Sequence, residues 1–166
     1  MSYLLSRMIP VAIALGCTGA GIAAAAPQSA PSPFLGSWEL DLARMPAGYG
    51  PPPKRVVYTF RDAGAGSWRT MIDITAPDDA VRHMAVTYRP DGTAAAGEGD
   101  TGEADSAAIM ATAPNVLVMG LGKNRALGSV RTYVVSPDGR EMTEAAANVD
   151  DKGAPFVRRF HFRRIG

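Results

Sequence analysis

The sequence predicts an all-β domain, and three observations support this prediction. Apolar and polar residues alternate with period two in several segments, among them 55–61, 67–75 and 159–163, which is the pattern of strands with one buried face. Clusters of glycine, proline and aspartate separate these segments at the spacing of hairpin turns. No window of helical length after the first 25 residues carries an apolar stripe at i, i+3 and i+4.

The alternation and the turn sequences together define about eight to ten short strands. DAGAG at 62–66, PDG at 90–92 and 137–139, and DDKG at 150–153 are turn sequences, since proline presets φ and glycine accepts positive φ. The predicted strands are 36–42, 54–61, 67–75, 81–88, 93–97, 105–112, 115–121, 127–136, 140–148 and 155–164. Residues 45–53 are rich in proline and are predicted to form a loop over one end of the domain. Short strands in this number form a meandering barrel or a sandwich.

The first 25 residues have the composition of a secretory signal peptide. Arg7 precedes a mostly apolar stretch that ends in small residues, and Ala23 and Ala25 place the best cleavage site before Ala26. Glycine and proline residues interrupt the apolar stretch, which disfavours a permanent membrane anchor. We therefore expect a periplasmic or secreted bacterial protein. Its parts are a signal peptide at 1–25, a short flexible linker at 26–33 and the β domain at 34–166.

Cys17, the only cysteine, allows a second form of N-terminal processing. The segment ALGC at 14–17 resembles a bacterial lipobox, whose cysteine becomes lipidated after cleavage. The alternative is that Cys17 is discarded with the signal peptide. In both cases the mature domain has no disulfide and depends on its apolar core.

The charge balance excludes one class of partner. The chain has 17 basic and 16 acidic residues, and Arg7 lies in the predicted signal peptide, so the mature domain is electrically neutral. A dedicated nucleic-acid-binding protein needs a basic surface. We therefore expect no nucleic-acid partner. We also expect that the mature domain does not span a membrane.

The start of the first predicted strand carries a recognisable motif. Gly36-Ser37-Trp38 resembles the G-x-W signature of lipocalin-like, calycin-type barrels. The resemblance extends to GSWELD at 36–41, YRPDG at 88–92 and DGREMT at 138–143, in the order found in a group of uncharacterised, small, exported bacterial proteins of this type. It implies a single antiparallel meandering β-barrel, lipocalin-like, over 34–166.

The resemblance also implies a structural role for one end of the barrel. In lipocalin-like barrels the tryptophan, here Trp38 after Gly36, plugs the closed end, and an arginine of the last strand packs across its ring. Arg164 shares the strand phase of Phe160 and Phe162 and is the first candidate for that arginine, with Arg163 second. Such a contact contributes about 0.5–2 kcal/mol beyond the area it buries.

Two functions remain open for such a barrel. In the first, it is an exported small-molecule-binding module for an apolar or amphipathic ligand, because barrels of this size can hold one small molecule. In the second, it is a structural or interaction protein of the cell envelope whose interior is filled by its own side chains. The candidate ligand-binding residues are Val56, Tyr58, Phe60, Ile72 and Ile74. Among them, the Tyr58 hydroxyl is able to give one oriented hydrogen bond to the ligand.

No motif in the chain marks a catalytic or metal site. There is no G-x-S-x-G elbow and no marked pair of catalytic carboxylates, so we expect no enzyme activity. GEGDTG at 97–102 fits G-x-G-x-x-G, but no helix is predicted after it to bind a dinucleotide. Its acidic residues are alternatively a calcium site or a solvated hairpin. His83 and His161 have no further zinc ligands at a marked spacing, and we expect no metal and no cofactor.

The last predicted strand is basic. It carries Arg158, Arg159, Arg163 and Arg164 and no acidic residue. Such a strand could meet an anionic lipid or envelope polymer. The alternative, which we favour, is an exposed strand face together with one structural arginine.

Overall fold

Residues 31–166, which the computed structural model describes, form a closed barrel of ten antiparallel strands. Neighbouring strands are consecutive in the chain, and the first strand closes the barrel by pairing with the last. The strands are β1 (Gly36–Leu40), β2 (Arg55–Gly64), β3 (Ser67–Thr75), β4 (Val81–Tyr88), β5 (Asp91–Gly99), β6 (Ser106–Ala113), β7 (Val116–Lys123), β8 (Ala126–Val135), β9 (Glu141–Val149) and β10 (Pro155–Arg164). The predicted all-β fold and antiparallel meander are confirmed, and the sandwich is excluded. The predicted signal peptide, Cys17 and most of the linker lie outside the described residues.

The first strand is shorter than the predicted 36–42. It ends at Leu40, and Leu42–Arg44 form a short 3-10 helix. Asp41 caps this helix, because its carboxylate accepts a hydrogen bond from the backbone N–H of Ala43 at 3.1 Å. Aspartate is a favoured capping residue for this reason. The remaining strands agree with the predicted ones to within a few residues at each end.

The alternation within each strand separates a buried face from a solvent face. In β9, for example, Met142, Glu144 and Ala146 are buried, while Glu141 and Ala147 beside them are exposed. The largest fully buried side chains are Trp38, Tyr133, Phe34, Phe60, Ile109, Leu117, Met142, Val135 and Thr70. Most of them lie where β1 begins and β10 ends, so the core is concentrated towards that end of the barrel.

Trp38 closes this end of the barrel. Its side chain is 0% exposed, and its indole N–H donates a hydrogen bond to the carbonyl of Phe34 at 2.8 Å. The guanidinium carbon of Arg164 lies 4.2 Å from the centre of the indole ring. Arg164 also donates to the backbone carbonyls of Leu35 and Gly139, each at 2.7 Å. One side chain thereby ties the segment before β1, the β8–β9 hairpin and the indole ring together.

Gly36 makes the close approach of Arg164 possible. Its φ is +125°, and a Cβ atom placed there would lie 2.6 Å from Nη1 of Arg164 and 2.7 Å from the carbonyl oxygen of Gly166. A side chain at this position would therefore be strained by its backbone and would collide with both groups. The glycine of the G-x-W motif is explained by these two constraints.

The opposite end of the barrel carries the β1–β2, β3–β4, β5–β6, β7–β8 and β9–β10 connections. The longest is the β1–β2 connection, in which 45–53 form no strand or helix. Tyr49 of this segment packs edge-on against Phe160 of β10, with ring centres 5.5 Å apart. No helix among residues 31–166 is long and apolar enough to cross a membrane.

Candidate ligand-binding cavity

A cavity of about 350 Å³ occupies the barrel interior. It extends from the middle of the barrel to the end opposite Trp38, where it is bordered by Tyr49 of the β1–β2 connection and by Asp100 and Glu103 of the β5–β6 connection. Pockets that hold small molecules in proteins have volumes of roughly 300–1,000 Å³. The cavity lies at the lower end of this range, so it is large enough for one small ligand.

Most of the cavity wall is apolar. Its side chains come from inward positions of successive strands, because residues two apart on a strand share a face. The apolar lining includes Val56, Ile72, Ile74, Met84, Val86, Met119, Leu121, Phe156, Phe160 and Phe162. Small side chains, among them Ala107 and Ala146, also line the wall, and they leave the space that larger residues would fill.

Four of the five candidate residues proposed from the sequence line this cavity. Val56 and Tyr58 do so from β2, and Ile72 and Ile74 from β3. Phe60 is not part of the cavity wall. It is 1% exposed and packs against Phe34 and Tyr133 at centre-to-centre distances of 5.9 and 6.5 Å. Phe60 faces inward as predicted, but it lies one inward position too close to the closed end.

The polar part of the cavity is a cluster of four residues, Tyr58, Glu103, Arg131 and Glu144, which we call the polar cluster. Nη1 of Arg131 lies 3.4 Å from the Tyr58 hydroxyl and 3.4 Å from a carboxylate oxygen of Glu144. Nη2 of the same guanidinium is bonded to Glu103. Within residues 31–166, the buried Nε of Arg131 has no hydrogen-bond partner. One guanidinium is therefore shared between two carboxylates.

Burial changes the protonation behaviour of the polar cluster. Desolvation raises the pKa of the Glu144 carboxyl to about 6. The neighbouring Arg131 and the Tyr58 hydroxyl lower this pKa by smaller effects, and Glu103 adds slightly to the rise. Desolvation likewise raises the pKa values of Tyr58 and Tyr133 above the ordinary value for tyrosine. At neutral pH both phenols are hydrogen-bond donors, and Glu144 is ionised but poorly solvated.

Arg131 and Glu144 were not among the residues proposed from the sequence. A signal for both was present in the alternation, because Arg131 shares a strand face with Tyr133 and Val135, and Glu144 shares one with Met142 and Ala146. A charged residue on an otherwise apolar face must find a partner or a ligand inside. Pairing of β8 with β9 supplies the partner, since Tyr133 lies opposite Glu144 and Arg131 lies opposite Ala146.

The mouth of the cavity combines aromatic rings with a cation. The Arg158 guanidinium carbon lies 4.7 Å from the ring centre of Phe156 and 5.4 Å from that of Tyr49. Arg158 and Phe156 line the cavity. Near the end of β5, Glu98 is paired with Arg69 at 2.7 Å and Asp100 with Arg82 at 2.5 Å.

The arginines of the last strand do not form one basic face. Arg158 and Arg164 point inward, at the mouth and at the closed end. Arg159 and Arg163 are exposed on the outside, and Arg163 pairs with Glu39 at 3.1 Å. The strand therefore divides its charge between the two ends of the interior and the outer surface.

The remaining sequence motifs considered for dinucleotide or metal binding are the G-x-G-x-x-G segment and the two histidines. The Gly97–Gly102 motif runs from the end of β5 into the β5–β6 connection, and strand β6 follows it. His83 is exposed and lies 2.5 Å from Asp73, while His161 lies 2.8 Å from the guanidinium of Arg44. Among residues 31–166 there is no group of three or more histidine, cysteine, aspartate or glutamate side chains arranged to hold a metal ion.

Comparisons with known proteins agree with the fold. The barrel is a closed antiparallel meander. One solved structure that it matches is the crystal structure of a mutant of the fluorescent protein UnaG, with a TM-score of 0.57, 11% sequence identity, and coverage of 81% of this chain and 97% of the other. No protein-family profile matches the sequence. No curated protein matches it either. At this identity the likeness is one of fold.

Proposed function

We propose that the protein is an exported small-molecule-binding module that holds an apolar or amphipathic ligand inside its barrel. The observation that supports this most directly is the cavity of about 350 Å³, whose wall is mainly apolar with a few polar groups at defined places. Ligand pockets in proteins usually have this combination, because apolar surface supplies affinity and isolated polar groups orient the ligand. The fold shared with UnaG is compatible with such a function.

The proposed location follows from the N-terminal sequence. A charged start, an apolar stretch and small residues before Ala26 support export, to the periplasm or beyond the cell. Lipidation of Cys17 is the alternative, and it would attach the barrel to a membrane leaflet. Binding rather than catalysis is proposed, because the polar groups of the cavity are engaged with one another and not arranged as a nucleophile with its base.

The competing function is an envelope protein with a filled barrel and no ligand. The two functions are distinguished by a titration of the purified protein with Nile red, a neutral apolar fluorophore. We expect fluorescence that saturates at one molecule per chain, and native mass spectrometry of protein from its own envelope should show a retained small molecule. If neither saturable binding nor a retained mass is found, the proposal is wrong, and the structural function takes its place.

Two adjacent residues of β9 provide a matched pair of variants. Ala146 is 3% exposed and lines the cavity, whereas Ala147 is exposed on the outer face. Ala146→Phe should fill part of the cavity and weaken Nile red binding about tenfold or more, while Ala147→Phe should bind like the wild type. Circular dichroism checks that both variants are folded, since enlarging a buried side chain typically costs about 1–3 kcal/mol. Equal binding by the two variants would place the probe outside the barrel.

A further inference from the structure

We propose that the polar cluster receives a positively charged group, so that the ligand is an amphipathic amine and not a carboxylate. This inference rests on the proposed function, because it names the chemical class of molecule for the same cavity. It follows from the distribution of charge along the cavity wall and from the contacts that already engage Arg131.

Both terminal nitrogens of Arg131 are already engaged, and among residues 31–166 only its buried Nε has no hydrogen-bond partner. Its Nη1 approaches both Tyr58 and Glu144, and its Nη2 is bonded to Glu103. A carboxylate that bound these terminal nitrogens would have to displace one of their partners, and at any nitrogen of this guanidinium it would lie close to the carboxylates of Glu103 and Glu144. Like charges at such short range in a poorly solvated interior repel strongly. The only guanidinium of the polar cluster thus disfavours an anionic head group.

Glu144, by contrast, has binding capacity left. It lines the cavity and is 3% exposed, and its approach to Arg131 is 3.4 Å, which is longer than the roughly 2.7–2.9 Å of a charge-assisted hydrogen bond. Desolvation raises the pKa of this carboxyl to about 6 although Arg131 is its neighbour. The guanidinium that is shared with Glu103 therefore compensates the charge of Glu144 incompletely. A ligand ammonium would supply the missing charge and hydrogen bonds.

The charges nearer the mouth do not change this assignment. Glu98 and Asp100 are paired with Arg69 and Arg82. Phe160 faces Glu144 across the β9–β10 pair, and Arg158 lies one inward position closer to the mouth than Phe160. The Arg158 guanidinium packs on the rings of Tyr49 and Phe156 and is therefore separate from the polar cluster.

A ligand with its amine on Glu144 would therefore extend its apolar body along the wall of Ile72, Ile74 and Phe160. Its outer end would lie at the aromatic mouth.

Three molecules with the same dodecyl tail test the inference. Dodecylamine, dodecanol and dodecanoate are used to displace Nile red from the purified protein at neutral pH. The two ionic compounds are kept below their micelle concentrations and dodecanol below its solubility limit. We expect dodecylamine to compete at a concentration about tenfold or more below that of dodecanol, the effect of one hydrogen bond to a buried charge, and dodecanoate to be the weakest. A dodecanoate that competes as well as dodecylamine would overturn the inference.

A matched pair of glutamate variants on β9 identifies the group responsible. Glu144→Gln should reduce the preference for dodecylamine over dodecanol to about one, because the amide carries no charge. Glu141→Gln, at an exposed outward position of the same strand, should keep the wild-type preference. A preference that survives Glu144→Gln would overturn the assignment of the site. If neither Nile red nor dodecanol binds at all, both the proposed function and this inference are wrong. If dodecanol binds and dodecylamine binds no better, only this inference is wrong.

Discussion

The guanidinium of Arg164 stacks on the indole ring of Trp38 at 4.2 Å, across the strand pair that closes the barrel. The two residues are directly opposite in the β1–β10 register. Gly36 leaves the space through which the arginine reaches three backbone carbonyls, two in the segment before β1 and one in the β8–β9 hairpin. Closure of the barrel and burial of its largest aromatic side chain therefore depend on the same contact.

Removal of the indole should be strongly destabilising. Trp38→Ala empties a fully buried site, and we expect the free energy of unfolding to fall by about 3–5 kcal/mol, the range for a large buried aromatic residue. Arg164→Ala should have a smaller effect, and a double-mutant cycle should give a coupling of about 0.5–2 kcal/mol. Urea denaturation measures all three variants. An unchanged midpoint for Trp38→Ala would contradict the structural role of the G-x-W motif.

Gly36 should be intolerant of a side chain. Gly36→Ala combines a positive φ with a collision against Arg164 and the Gly166 carbonyl, so we expect a loss of about 2–3 kcal/mol. Gly50→Ala is the control, because its φ is +100° but nothing lies within 4 Å of the added Cβ. The control should lose about 1 kcal/mol from backbone strain alone. Thermal unfolding compares the two, and equal losses would show that the collision is relieved by movement of Arg164.

Glu144 should make stability depend on pH in an unusual direction. Its pKa rises from 4.5 to about 6 on folding, so the folded protein binds the proton more tightly than the unfolded chain does. The stabilisation is complete below pH 4.5 and is lost as pH rises through about 6. Relative to Glu144→Gln, the wild type should therefore lose on the order of 2 kcal/mol between about pH 4 and pH 7.5.

Urea denaturation at a series of pH values checks this prediction. Carboxyls with lowered pKa values, such as Asp100, act in the opposite direction, but they are common to both proteins and cancel in the difference. Glu98→Gln is a control of opposite sign, because Arg69 lowers the pKa of Glu98, and the wild type should gain stability over that variant as pH rises. A difference between the wild type and Glu144→Gln that is independent of pH would contradict the burial of Glu144.

Export is tested at the N-terminus. Protein isolated from a bacterial envelope fraction should begin near Ala26 when its N-terminal residues are sequenced. A blocked, lipidated Cys17 would instead indicate a lipoprotein, and an intact Met1 would refute export. The test is independent of the barrel, because residues 1–25 precede the described structure.

Local patterns were sufficient for most of the secondary structure. Alternation in β2, β3 and β10 predicted both the strands and the inward faces, because the side-chain period of a strand is two. The turn sequences predicted where strands end, because glycine and proline restrict the backbone locally. The pattern failed at residue 41, where the carboxylate of Asp41 caps a short helix and ends β1 early. Alternation alone does not report such a competing local hydrogen bond.

The site needed information that no single strand contains. The alternation indicates that Val56, Tyr58 and Phe60 face inward, but not how far along the barrel axis each residue lies. It therefore gives no means of separating Phe60, in the packed end, from the residues of the cavity wall. Arg131 and Glu144 belong to different strands, and their partnership depends on the register between β8 and β9. Glu103 reaches the same guanidinium from a connection 28 residues away in sequence.

The roles of Gly36 and Trp38 followed from the resemblance to lipocalin-like barrels, and their contacts with Arg164 depend on the β1–β10 pair. The strands and their faces could be read from residues close in the chain, because they depend on backbone preferences and on the polarity of neighbouring side chains. Barrel closure, the cavity and the sharing of one guanidinium by two carboxylates could not. They depend on the relative height of residues on different strands, which is set by register and by the pairing of β1 with β10.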